Sequence, residues 1–457
     1  MRRLLLLSGY LTLSSSLLFG QGSYLNILGL IRGDSLGAQF GKKVVPAGDV
    51  NGDGLPDFLV GASAGEPTWS NPPAGAQKVD LFYGKQDALD TVPDLTFGHK
   101  AKLEWVGDIN GDGQADFAML ESGQKYRLSI YFGDTLLDTI PDGYVKGDSS
   151  SAFPGDLYGR HISAGKVCDS GDIQIIVGDP AYNNRGQVYA YGVRNGDIDS
   201  VTFWKVLQGA PFQGGGPAIV LGDINSDGYA DIASRRGTFD EVNIYFGKPV
   251  LDTIPDLILR GSQGFGGNIA AVGDLNSDGF DDFIIGSGRT PRLFFGGNPL
   301  DTLPGFTLDR LGDHFVNGGN INADGYDDLL VGQDEYPLTG YAYVYYGGPS
   351  MDSIRDLEIH ERDLPELAAG FGQTVAGLGG IDGDGSNDFA VGSTSDFQPD
   401  QGYLWVFYGL MPSTGVNDER QNVPRNFTLE QNYPNPFNAS TTISYSLKKN
   451  FRSFGGF

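Results

Sequence analysis

The chain has 457 residues, a formal net charge of −26, 70 glycines, 24 prolines and a single cysteine. That length suits one large all-β domain or two to three ordinary ones, and the glycine and proline content fits many turns between short strands. The acidic balance argues against nucleic acid and anionic membrane as partners, and the lone Cys168 excludes an intramolecular disulfide.

The first segment reads as a secretory leader. Arg2 and Arg3 precede an apolar, serine-broken run from Leu4 to Phe19, and Gly20-Gln-Gly22 offers small residues for cleavage. The run is too short and interrupted for a membrane anchor. There is no other hydrophobic span, so no membrane insertion is expected. Residues 1–21 are therefore assigned to the leader.

The stretch Asp49-Val-Asn-Gly-Asp-Gly-Leu-Pro-Asp57 follows. It places Asp49, Asn51, Asp53 and Asp57 at positions 1, 3, 5 and 9 of a loop, with Gly54 at position 6, where a positive φ is cheap. Hard oxygens in this spacing suit Ca²⁺, which takes about 6–8 of them in loose geometry. The apolar run Phe58-Leu-Val-Gly-Ala62 reads as a buried strand, so the loop is the tip of a β-hairpin.

The loop recurs. Asp108, Asn110, Asp112 and Asp116 form a full copy, as do Asp223, Asn225, Asp227 and Asp231, and Asp274, Asn276, Asp278 and Asp282. Two copies are altered at position 1: Asn320 leads Asn322, Asp324 and Asp328, and Gly380 leads Asp382, Asp384 and Asp388. A seventh copy keeps only the frame, with Lys166, Cys168, Ser170 and Gln174 at the four positions. It has no carboxylate and is expected to bind no Ca²⁺.

Successive loops start 46 to 60 residues apart, a period that points to a propeller or solenoid. Each unit has a second run ending in glycine, such as Val242-Asn-Ile-Tyr-Phe-Gly247. Most then have a turn such as Leu251-Asp-Thr-Ile-Pro-Asp256 and a shorter strand. Four antiparallel strands make one propeller blade. The seventh unit stops at Gly409 without a fourth strand, while Tyr24 to Ile31 precedes the first unit. The expectation is an all-β, seven-bladed β-propeller of four-stranded blades over residues 22–411, its ring closed by the N-terminal strand. Residues 412–425 read as a linker, and 426–457 as a segment too small for a core of its own.

The constellation resembles the FG-GAP repeats of integrin α-subunit propellers and their bacterial relatives. Phe40-Gly41, Tyr158-Gly159, Phe265-Gly266 and Phe371-Gly372 match the opening motif, and Gly61-Ala62 and Gly178-Asp-Pro180 stand near its second half. The resemblance covers about residues 24–409 and implies that the Asp-rich loops are Ca²⁺ sites. Leu429-Glu-Gln-Asn-Tyr-Pro-Asn-Pro-Phe-Asn438 resembles the start of a type IX secretion C-terminal sorting domain, whose later strands are missing. This resemblance implies a secreted protein that is held on a bacterial outer surface.

In a four-strand meander the 1–2 and 3–4 turns share one face. Ligand binding is expected on the opposite one, where loops vary. Trp69, Tyr182 and Tyr336 can stack on sugars or peptide rings. Arg185, Arg235, Arg236, Arg289 and Arg292 can pair with carboxylate or sulfate. An extracellular protein or glycan, including an anionic one, is the expected partner of a monomeric binding or adhesion module. The ion loops are expected to be structural rather than direct ligand contacts. Arg32-Gly-Asp34 reads as turn chemistry, since Arg260-Gly-Ser262 occupies the equivalent place. No enzyme is expected: His99, His161, His314 and His360 fall in different units, and no nucleophile motif or phosphate loop occurs. The alternative reading is a lyase or hydrolase acting on carbohydrate with the propeller as scaffold.

Overall fold

The computed structural model describes residues 16–18, 24–34, 39–62, 78–98, 101–121, 127–146, 161–169, 173–179, 187–194, 197–198, 204–207, 218–235, 240–262, 264–287, 290–335, 339–365, 370–394, 401–409, 427–429 and 445–447. Blade 1 is built from Phe40–Gly48, Asp57–Ala62, Val79–Phe82 and Leu95–Phe97. Each of these strands pairs antiparallel with the next in sequence. Blade 2 runs from Ala101–Gly107 to Gly143–Lys146 and blade 4 from Ala218–Gly222 to Leu257–Arg260. Blade 5 runs from Phe265–Gly273 to Phe306–Thr307, and blade 6 from His314–Gly319 to Leu357–His360. In blade 3 the outer edge is shared by Asp197–Ile198 and Trp204–Leu207, both paired with Gln187–Arg194.

These seven antiparallel sheets make a seven-bladed β-propeller. Each innermost strand touches the innermost strands of both neighbours, and Phe371–Gly379 of blade 7 meets Phe40–Gly48 of blade 1. Blade 7 takes its outer strand from the N-terminus, as expected: Tyr24–Arg32 pairs antiparallel with Tyr403–Phe407, Ile31 opposite Leu404. Closing the ring this way removes an open sheet edge.

The blades are held together by apolar side chains between the sheets. Across the closing junction, Leu28, Ile31, Leu378 and Leu404 pack with Phe40, Val44, Phe58 and Phe82 in one buried cluster. Position 10, directly after each loop, stacks on the third strand of its own blade. Phe58–Phe82, Phe117–Tyr131, Phe283–Phe294 and Phe389–Phe407 lie 5.0–5.2 Å apart, near parallel. Cross-strand aromatic pairs of this kind contribute about 0.5–1.5 kcal/mol beyond the area they bury.

Arg32 belongs to the closing strand, opposite Tyr403, and Gly33 N donates to Gly402 O. Asp34 is ion-paired with Lys78 at 3.0 Å, and Lys78 also holds the buried Asp80. The tripeptide therefore fastens the closing strand to blade 1. Ser16–Leu18, inside the segment read as a leader, pairs with Tyr24–Asn26. Residues 412–457 form a second unit in which Phe427–Leu429 pairs with Tyr445–Leu447. No helix among the described residues is long and apolar enough to cross a membrane.

Candidate metal centre

The strand directions put the Asp-rich loops and the 3–4 turns at one end of the blades, on one face of the ring. In blade 1 the Asp49 carboxylate collects the loop's own amides. Its Oδ1 accepts from Gly52 N and Asp53 N, and its Oδ2 from Gly54 N at 2.8 Å. Asn51 Oδ1 accepts from Asp53 N, and Asp53 Oδ1 from Leu55 N. Asp108 does the same with Gly111, Asp112 and Gly113. Asp223 and Asp274 each accept two such bonds, from Asp227 and Gly228 and from Asp278 and Gly279. The chain can point successive N–H groups inward because position 6 is left-handed, with φ from 90° to 100° at Gly54, Gly113, Gly228, Gly279, Gly325 and Gly385. Position 4 is left-handed as well, although Ser226, Ser277 and Ala323 stand there in three blades.

Position 9 has a second task that its chemistry as an oxygen ligand conceals. Asp57 is fully buried, its Oδ2 accepting from Val50 N and its Oδ1 from Gly84 N. The same pair of bonds, 2.7–3.0 Å long, recurs at Asp116, Asp231, Asp282 and Asp328. The carboxylate thus latches the start of the loop to the end of the third strand. Burial pushes Asp57, Asp231 and Asp282 up to about 7, and Asp116 and Asp328 to about 6. The two N–H donors pull the other way, and nearby loop carboxylates add to the rise. In blade 3, Gln174 Oε1 alone accepts from Val167 N and Cys168 N. The loop-start half of the latch therefore survives where the carboxylates are gone, without the bond to the third strand.

The loops also join the blades. Position 8 donates its N–H to the position 1 carbonyl of the preceding blade, as Ala115 to Asp49, Ala230 to Lys166, Asp281 to Asp223 and Asn387 to Asn320. The residue after the third-strand glycine donates to the preceding position 2 carbonyl, as Asp134 to Val50, Lys248 to Val167 and Gly297 to Ile224. At the closing junction Pro56 has no N–H to give, and Lys85 N and Asp87 N donate to Ile381 O and Asp382 O. Position 2 was not singled out from the sequence. It is aliphatic and at most 2% exposed in every blade, from Val50 to Ile381. The unbroken run of Val, Ile and Leu at this position, blade 3 included, was the available signal.

The two altered loops differ in a telling way. In blade 6, Asn320 Oδ1 is buried with no hydrogen-bond partner. In blade 7, Asp388 is fully buried and its Oδ1 accepts from Gly409 N, but its Oδ2 has no partner. Burial and then the neighbouring Asp382 push the Asp388 carboxyl up to about 8. Among the described residues, no three or more His, Cys, Asp or Glu side chains are gathered into a metal-holding group. Position 9 uses both of its oxygens on backbone N–H groups in the latch, with the carboxylates of positions 5 and 1 near enough to raise it further.

Of the residues expected to face a ligand, Trp69, Tyr182, Arg185, Arg236, Arg289 and Tyr336 lie outside the described residues, as does Ser170 of the blade 3 loop. Arg235 and Arg292 are strand residues rather than loop residues. Arg235 ends Asp231–Arg235, and Arg292 sits in Thr290–Phe294 opposite Ile285, because Ser287 pairs with Thr290 across a two-residue turn. The structure brings both beside Phe265-Gly266. The Arg292 guanidinium lies 5.9 Å over the Phe265 ring, and the Arg235 side chain packs at Gly266.

Residues 40–79 match the FG-GAP repeat family. The chain is similar to integrin alpha chains. It is 28% identical over 382 residues to integrin alpha-7 of Homo sapiens, covering 74% of this chain and 28% of that one. It is 28% identical over 254 residues to integrin alpha-5 of Xenopus laevis, covering 48% and 23%. For integrin alpha-3 of Mus musculus the match is 31% over 129 residues, covering 25% and 12%. The aligned region thus spans about a quarter or less of the length of these relatives. A solved structure, BBS1N in complex with ARL6DN, superposes with a TM-score of 0.51 at 10% identity, covering 85% of this chain and 98% of that chain. It shares the fold.

Proposed function

We propose that this chain is an exported, calcium-stabilised binding module, monomeric, that engages an extracellular protein or glycan. In this reading the loops beginning at Asp49, Asp108, Asp223, Asp274, Asn320 and Gly380 hold Ca²⁺. The observation that carries it is the pair of orphaned oxygens, Asn320 Oδ1 and Asp388 Oδ2. They belong to the two loops that lack an aspartate at position 1. A buried acceptor without a donor costs about 1–3 kcal/mol, and a cation satisfies it. The donor set agrees, being carboxylate and carboxamide oxygen with no thiolate or imidazole. Similarity to integrin alpha chains supports binding over catalysis and a place outside the cell. Residues 1–21 direct export, 412–425 link, and 426–457 serve type IX attachment to the surface.

Ca²⁺ here neutralises buried aspartates and braces the blade junctions, while the opposite face carries the ligand. The test is calorimetric titration of CaCl₂ into metal-free protein, paired with thermal melting. Heat of binding and a higher melting temperature are expected. Each site adds about 2.7 kcal/mol at a hundredfold excess of Ca²⁺ over Kd. No heat and an unchanged melt would refute the reading.

A further inference from the structure

We infer that the junction of blades 4 and 5, on the face opposite the ion loops, is a binding site for a carboxylate of a protein ligand, held by Arg235 and Arg292. This rests on the reading that the opposite face carries the ligand.

Arg235, like Leu120 of blade 2, stands where the other five blades repeat a glycine. Four residues after position 9 stands Gly61 in blade 1, Gly178 in blade 3, Gly286 in blade 5, Gly332 in blade 6 and Gly392 in blade 7. In blades 6 and 7 the next blade comes too close for a Cβ, while at Gly61 one would meet only ordinary contacts at 3.6 Å or more. A Cβ at Gly332 would lie 2.4 Å from Gly372 O, and one at Gly392 2.3 Å from Gly41 O. Blade 4 puts a half-buried arginine at this crowded place. Its stem runs along Gly266 of blade 5, where a Cβ would lie 3.2 Å from Arg235 Cγ. Gly266 is left-handed at φ +77°, so the backbone there keeps the space open.

Among the described residues, no carboxylate answers the charge of these two arginines. Lys78, Lys85, Lys248, Arg260, Arg310 and Arg355 each pair with a carboxylate. Arg235 and Arg292 have no carboxylate partner among the described residues, in a chain with 57 acids. Arg235 Nε is buried without any hydrogen-bond acceptor. Its buried Nε is out of a ligand's reach, so an incoming acceptor would meet the terminal nitrogens of the fork. Arg292 lies over Phe265, which orients its planar fork. The Arg292 fork over Phe265 and the Arg235 stem along the adjoining Gly266 put two arginines at one junction, and guanidinium groups pair bidentately with carboxylates. The net charge of −26 repels a polyanion. A protein presenting one acidic residue among neutral or basic neighbours fits better than a uronic acid polymer.

The probe is a displayed library of random 12-residue peptides selected on the full chain with calcium. Selected peptides are resynthesised with Asp and Glu changed to Asn and Gln. The acidic forms should bind at least tenfold more tightly than their amide forms. Arg235→Gln and Arg292→Gln should each weaken binding at least tenfold with an unchanged melt, while Arg260→Gln, which breaks the pair with Glu241, should leave it intact. Peptides without acids, or equal binding by both glutamine variants, overturn the site. Tighter binding of oligogalacturonate that depends on Arg235 overturns the protein ligand. Hydrogen exchange separates the two levels. Protection at other opposite-face loops, insensitive to Arg235→Gln, defeats this site alone. Protection confined to the ion loops defeats the functional reading as well.

Discussion

Blade 3 separates the latch at position 9 from any role in holding a metal. Gln174 Oε1 accepts from Val167 N and Cys168 N at 2.8 and 2.9 Å, and its loop has no carboxylate at position 1. Replacing Gln174 by Ala removes two neutral hydrogen bonds, about 1–3 kcal/mol together. It also relieves the buried Gln174 Nε2, which has no acceptor, so a net loss of about 1–2 kcal/mol is expected. Asp231 also takes two N–H groups, but with a charged group, and one of them, Gly247 N, belongs to the end of the third strand while Ile224 N belongs to the loop start. Charge-assisted bonds are stronger, about 1.5–3 kcal/mol each. The desolvation that pushes Asp231 up to about 7 offsets part of this without metal. Asp231→Ala should therefore cost about 2–4 kcal/mol in metal-free protein and more in calcium. Gln174→Ala should cost the same in both. Guanidinium unfolding together with amide exchange over residues 161–179 and 218–235 reads both quantities. A calcium-dependent cost for Gln174→Ala would refute the reasoning. So would an Asp231→Ala protein no less stable in calcium than Gln174→Ala.

Metal-free protein should lose stability as pH rises from about 4 to 8. Burial raises the carboxyls of Asp57, Asp231 and Asp282 to about 7 and Asp388 to about 8. A raised pKa contributes stability that is complete below the unfolded value of 3.8 and gone above the folded one. A metal-free melting temperature that is flat or rising between pH 5 and 8 would count against this. Calcium should flatten the profile. Ala323→Gly should stabilise by about 0.5–1 kcal/mol, because Ala323 is held at φ +55°, and an equal or lower melting temperature would show that the strain is absent. Tyr229→Phe removes the hydroxyl bonded to Asp169 and should cost about 0.5–1.5 kcal/mol. Its effect should be the same with and without calcium.

The ring and its closure were legible because the sequence repeats itself. Seven loops in one frame, each followed by a strand and an aromatic run, leave little freedom in blade number. The orphan outer strand at Tyr24 had one place to go. The latch was not legible. Asp at position 9 reads as a metal ligand, and only the fold shows that both its oxygens face N–H groups seven residues back and in the third strand. Position 2 was overlooked because it carries no chemistry of its own. Its burial and its carbonyl join two blades, and sequence periodicity within one blade does not report that. Arg292 was placed in a variable loop because the turn's length was unknown. The pairing of Ser287 with Thr290 puts it in the ladder instead, opposite Ile285.

The blade 3 junction holds together without a carboxylate at position 1. Lys166 stands at position 1, and its ammonium lies 5.7 Å over the ring of Tyr229, in the loop of the next blade. Tyr229 OH in turn donates to Asp169. This junction keeps the same backbone bonds as the acidic ones, Ala230 N to Lys166 O and Lys248 N to Val167 O. The belt of hydrogen bonds between blades therefore does not depend on carboxylates at positions 1, 3 and 5. Blade 3 carries its own positive charge at position 1, where the full copies carry an aspartate. On the proposed reading, a cation bound in the other loops would supply that charge from solution and balance aspartates that burial disfavours. Calcium would then act on the electrostatic cost of a ring whose hydrogen bonds already exist. Its removal should weaken the acidic junctions first and leave the blade 3–4 junction as the most protected in amide exchange.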